Sequence, residues 1–122
     1  MRRALVRYLK WLRERYEFPM RVPVYLSPKR RIITVHGEEA SASFFAPWDR
    51  REEPYIRLAT GDYRELSREL GRDDALAEFV CSLSHEVLHY QQWIAGEPLT
   101  ERGIPRRAVR MLRAYAATRA HP

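Results

Sequence analysis

Apolar residues recur along this chain with two different periods, and the change of period divides it into segments. Near the start, Leu5, Tyr8, Leu9, Leu12 and Tyr16 fall at helical spacing, with Arg2, Arg3, Lys10, Arg13, Glu14 and Glu17 on the other side. That pattern predicts a helix over residues 2–17, packed on the core by its apolar stripe and ended by Phe18-Pro19. From Val22 to Ala59 the apolar runs shorten and become β-branched and aromatic. They predict four strands, at Val22–Leu26, Arg31–His36, Ala42–Ala46 and Tyr55–Ala59. The gaps between them suit hairpins and meanders rather than helical crossovers, so the sheet is expected to be largely antiparallel.

Helical spacing then returns. Tyr63 to Leu70 reads as a short helix, separated by Gly71-Arg72-Asp73 from a longer one with Asp73 as its N-cap. Leu76, Phe79, Val80, Leu83, Val87 and Leu88 form one stripe along the longer helix. No proline falls between 74 and 94, and Gly96-Glu97-Pro98 stops it. Pro105 opens a last helix, Arg106 to about Arg119, with Ala108, Val109, Leu112, Tyr115 and Ala116 as its buried stripe. The fold class expected is α+β, in a single domain over residues 1–122: an N-terminal helix, a small mostly antiparallel sheet, a long helix and a C-terminal helix.

Composition agrees with a folded chain, at 45% hydrophobic and 31% charged over 122 residues. No apolar run is long enough to span a bilayer. The N-terminal residues have charges spread through them and no small-residue cleavage site, which argues against a secretory signal. One cysteine cannot form an internal disulfide, so the expected compartment is the cytoplasm. The net charge of +6 rests on 20 Arg and only 2 Lys, scattered over every segment. Such charge can attract nucleic acid or an anionic membrane. Without a dense basic run neither is favoured as a partner, and the first helix is read as packed rather than lying on a membrane.

The chemistry concentrates in His85-Glu86-Val87-Leu88-His89. Two histidines four apart lie on one face of a helix, one turn above the other, so both imidazoles can ligate one zinc ion. Glu86 points roughly 100° away around the helix, which suits a base beside the metal. A water activated by zinc can lose its proton to that carboxylate and attack a carbonyl. A random ordering of the same residues yields the motif about once in a hundred chains. The amphipathic helix around it is therefore what strengthens the reading.

The order of elements around this motif resembles a zincin metallopeptidase cut to its minimum, similar to the single-domain gluzincin-like proteins called minigluzincins. The resemblance covers most of the chain in layout, but its specific residues are His85, Glu86 and His89. It implies zinc, a peptide or protein substrate, and Tyr55–Ala59 as the sheet edge above the cleft, open to a peptide adding as a strand. A metzincin needs Gly and His three and six residues after the second histidine; Gln92 and Ala95 stand there. A gluzincin takes its third ligand from a Glu on the following helix, but the helix after Pro105 has no Glu, Asp or His before residue 121. The candidates left are Glu101, preferred because it lies where the chain returns towards the motif helix, and Glu97.

Other donors are weaker. His36 reads as a strand or surface histidine, and Cys81 as a small buried hydrophobe. His121 reads as part of a frayed terminus rather than a cap on the metal. An oxyanion stabiliser is expected among Tyr90, Tyr115 and the arginines. Trp48 and Trp93 read as core or rim aromatics. The function expected is a small zinc-dependent peptidase with Glu86 as general base and His85, His89 and Glu101 on the metal. The alternative is a non-catalytic or latent zinc-binding module that uses its Arg-rich surface to bind nucleic acid or a protein.

Overall fold

A computed structural model describes residues 1–118. His121 lies outside the described residues. The elements run α1 (Arg2–Arg15), β1 (Val24–Ser27), β2 (Ile32–Ile33), β3 (Glu39–Ala40), β4 (Ala42–Phe45), β5 (Tyr55–Ala59), α2 (Tyr63–Leu70), α3 (Arg72–Ile94) and α4 (Ile104–Ala116). The fold is α+β, with four helices and a small mixed sheet among the described residues. None of these helices is long and apolar enough to cross a membrane.

Helix α3 is the centre of the packing and touches α1, α2, α4, β4 and β5. All six residues of its expected stripe are buried. Helix α1 lies against it through Leu5, Tyr8 and Leu12. Ser84, fully buried on α3, donates its hydroxyl proton to the Val80 carbonyl at 2.7 Å. The Tyr8 hydroxyl therefore donates to Ser84 Oγ, a polar clasp between α1 and α3 inside the apolar core. Burial pushes the Tyr8 phenol well above its usual pKa.

Strand β5 alternates as a half-covered strand should: Ile56 and Leu58 are buried, while Tyr55 and Arg57 are only half-buried. The sheet order is β1-β5-β4. Strand β4 runs antiparallel to β5, with Ala42 opposite Leu58 and Phe45 opposite Tyr55. Strand β1 runs parallel to β5, with Val24 opposite Ile56 and Ser27 opposite Ala59. The sheet is thus mixed, and the expectation of a largely antiparallel sheet is corrected. The parallel pair does not need a helical crossover, because the segment from residue 28 to 54 is long enough to return the chain by itself.

Two further corrections follow. Strand β5 is central, not the edge; β1 and β4 are the edge strands. The expected strand Arg31–His36 shrinks to Ile32–Ile33, which pairs with Glu39–Ala40 in a separate hairpin. Its turn is closed by Thr34 N–H to Glu38 O at 2.8 Å, and His36 sits in that turn. Arg57 Nη2 donates to Ile33 O at 2.7 Å and ties the hairpin to β5.

The helix ends differ by small amounts. The residue preceding α3 is Gly71, with Asp73 and Asp74 inside the first turn, where the helix dipole favours anions. In α4 the buried residues are Ile104, Ala108, Met111 and Tyr115, while Ala116 is exposed. Burial of Ile104 sets the phase of the helix, and Ala108, Met111 and Tyr115 follow on the same face at i+4, i+7 and i+11. Tyr115 meets Tyr8 edge to face at 4.8 Å between centroids, joining α4 to α1. Trp93 is buried as expected, but Trp48 is fully exposed.

Gly61 is needed for a close approach. A Cβ there would lie 2.5 Å from Lys29 C and Pro28 O, and 2.6 Å from Arg30 N. These are backbone atoms, so the β1–β2 connection itself would have to move. Gly61→Ala is expected to destabilise the protein by about 3 kcal/mol, the upper range for overpacking. A thermal melt should show a fall in Tm on the order of 10 °C. An unchanged Tm would mean that this connection yields without cost.

Candidate metal centre

The motif occupies the fourth and fifth turns of α3. His85 and His89 stand one turn apart, their rings 5.0 Å between centroids. The residues around them belong to the apolar stripe, so Glu86 and His89 are drawn into cover at 7% and 8% exposure. One ligand atom from each of His85, Glu86 and His89 lies within 4.8 Å of the others, so these three residues could hold a metal ion.

Glu101 meets the same pair from the α3–α4 loop. Its carboxylate reaches both imidazoles, with Oε2 2.8 Å from His85 Nε2 and Oε1 2.8 Å from His89 Nε2. The loop can bring it there because the chain reverses between Gly96 and Gly103, and Ile104 plugs fully buried into the core two residues beyond Thr100-Glu101-Arg102. Gly103 makes the last turn of that return at φ +76, a conformation that glycine adopts without a Cβ clash. Glu97 belongs instead to the turn that leaves α3; its N–H donates to Gln92 O at 2.9 Å, and it lines neither cleft beside the motif.

Two imidazole nitrogens and a carboxylate oxygen make a donor set that suits zinc and its neighbours among the divalent metals. Tetrahedral donors about 2.0–2.1 Å from an ion lie about 3.3 Å from one another. The two contacts that Glu101 makes with the imidazoles, at 2.8 Å each, therefore need to open by only about half an ångström to receive one.

Glu86 has a different role available. Burial is the main cause that raises its carboxyl pKa to about 7; His89 works against the rise and Glu101 adds to it. A group poised near neutrality can both accept and return a proton.

Two depressions flank the motif. One, of about 300 Å³, is lined by Phe44, Phe45, Arg57, Leu99 and the hairpin turn that includes His36. The other, of about 430 Å³, is lined by Ser41, Glu78, Cys81, Ser82 and Pro105. They share Ala42, Glu86 and Glu101, so together they form a groove with these carboxylates at its middle. The edge strand β4 contributes residues to both halves.

The remaining candidates sort by position. His36 lines the groove without belonging to the three-residue cluster, and Arg57 lines it from β5. Cys81 lines the second half, its thiol pushed up in pKa by burial and then by Glu78. Tyr90 is committed elsewhere: its hydroxyl donates to Met20 O and accepts from Met20 N–H at 3.1 Å. Tyr115 is buried against Tyr8 and Trp11. Gln92 went unnoticed as a site residue; it bonds His89 Nδ1 at 2.9 Å. Its spacing, three residues after His89 on the same helix face, was the signal for it.

The Glu86 shift makes the metal-free protein sensitive to pH. The folded state holds this proton more tightly than the unfolded chain, whose carboxyl titrates near 4.5. The stability it contributes is complete below that value and is lost as pH rises through about 7. The loss is on the order of 3 kcal/mol. Glu86→Gln, which imitates the neutral acid, should raise the Tm of chelator-treated protein by several degrees at pH 8 and change it little at pH 4.5. The same increment at both pH values would show that burial does not hold the proton on Glu86.

No protein-family model matches the chain, and comparison with curated proteins and with solved structures likewise finds no significant match.

Proposed function

We propose that this chain is a small zinc-dependent peptidase. One juxtaposition carries the reading: a carboxylate spans two imidazoles a helical turn apart, and a buried Glu86 poised near neutral pH stands beside them in a groove. His85, His89 and Glu101 are the residues that would hold the metal, which leaves a fourth position open as catalytic zinc sites require. Zinc bound there would supply a polarised carbonyl and a water of lowered pKa.

The protein residues do the rest. Glu86 takes a proton from the attacking water and hands it to the leaving amine, and its burial in the groove floor suits it to both transfers. An extended peptide binds along the groove beside β4, whose outer edge has no partner strand among the described residues. Main-chain hydrogen bonds to such an edge secure a peptide whatever its side chains. His36 and Arg57 line the same half-groove and are the groups available to steady a developing negative charge.

Purified without chelator, the protein should contain about one zinc ion per chain by elemental analysis. Glu86→Gln should keep the zinc and lower cleavage of an unfolded protein substrate by about 100-fold or more. A Glu86→Gln variant as active as the parent would sink the mechanism. Zinc bound by a parent protein that cleaves nothing would leave a zinc-binding module rather than an enzyme.

A further inference from the structure

Gln92 sits on α3 one turn past His89 and faces the loop that carries Glu101. Its carboxamide makes two hydrogen bonds, one at each end. Its Nε2 donates to Thr100 O at 3.1 Å, and its Oε1 lies 2.9 Å from His89 Nδ1.

The orientation of that amide follows from its partners. A backbone carbonyl only accepts, so the end facing Thr100 O must be the NH2 group. The amide oxygen therefore faces His89 and, being an acceptor, requires a proton on Nδ1. With Nδ1 so engaged, Nε2 is the nitrogen that His89 presents to a metal. It is the same nitrogen that faces Glu101.

The second bond acts on the other side of the site. Thr100 directly precedes Glu101, and both residues are exposed, so burial alone does not hold this part of the loop. The bond to Thr100 O fastens the loop to the motif helix one residue from the carboxylate.

We propose that Gln92 is a positioning residue of this metal centre: one carboxamide sets the His89 tautomer and, through Thr100, fastens the loop that presents Glu101. The inference rests on the metal-site reading above and adds a residue outside the motif and its third ligand. It also explains how a loop glutamate can serve where a helix would otherwise provide the rigidity. Partners of metal-bound imidazoles typically contribute about 10–100-fold in metal affinity.

The test is a double-mutant cycle on zinc affinity, measured by competition with a chromogenic chelator. The proteins are the full-length parent, Gln92→Leu, Glu101→Ala and the double variant, with Gln92→Glu as a fifth. Gln92→Leu removes both bonds and should weaken zinc binding about 10–100-fold. Its effect should shrink several-fold in the Glu101→Ala background, because the loop then has no ligand to present. Gln92→Glu keeps an acceptor for His89 Nδ1 but has no donor for Thr100 O, so it should fall between Gln92→Leu and the parent. A metal-free melt of each variant separates loss of fold from loss of positioning: Gln92→Leu leaves His89 Nδ1 without its acceptor, so a cooperative transition lowered by several degrees is expected. Parent-like zinc affinity in Gln92→Leu would overturn the proposal and leave the metal site standing. Equal losses in both backgrounds would overturn the link to Glu101. A parent protein that takes up no zinc would overturn the site reading and this inference together.

Discussion

Burial of helix α3 is the constraint on which the structure depends. The helix is enclosed by α1, α2, α4 and the sheet, so most of its circumference has to be apolar. Three residues do not comply. Ser84, Glu86 and His89 are buried polar residues on an otherwise apolar buried surface. Each needs a compensating partner, since an unpaired polar group in such a place costs about 1–3 kcal/mol. Ser84 is satisfied by Val80 O and the Tyr8 hydroxyl, and His89 by Gln92 and Glu101. Glu86 is relieved in another way, by holding its proton to a higher pH.

The same enclosure accounts for how Glu101 reaches the histidines. Past Ile94 the chain must reverse to lay α4 back along α3. The last turn of α3 is closed by Arg50, whose guanidinium donates to Trp93 O and lies 4.9 Å from the Trp93 ring centroid. That single side chain satisfies a terminal carbonyl, complements the helix dipole and makes a cation–π contact. Ile104, buried at the start of α4, holds the far end of the loop. Between these anchors the loop is short, and Glu101 falls opposite the imidazoles.

The sheet takes part through its connectivity. Strand β5 sits between β1 and β4, so its Ile56 and Leu58 can cover α3 while β4 is left at the edge beside the motif. The β2–β3 hairpin, tied to Arg57, places the 34–38 turn over one end of the groove.

Local information was enough for the helices and the motif. The stripe on α3 is legible because a buried helix repeats every 3.6 residues whatever it packs against, and His85 and His89 share a face for the same reason. The strand positions were also legible from their β-branched and aromatic runs, apart from Arg31–His36, most of which became a turn. Pairing was not: nothing within Tyr55–Ala59 says that it lies between Val24–Ser27 and Ala42–Phe45, because the register of distant strands depends on contacts they make only once folded. The preference for Glu101 over Glu97 began as an argument about where the chain must return. The distances from its carboxylate to two imidazoles came only from the packing of Ile104 and the reversal of the loop. The raised pKa of Glu86 and the double hydrogen bond of Gln92 belong wholly to the tertiary structure. Solvent exclusion and a carbonyl eight residues away are properties of the folded surroundings, which the spacing of residue types does not encode.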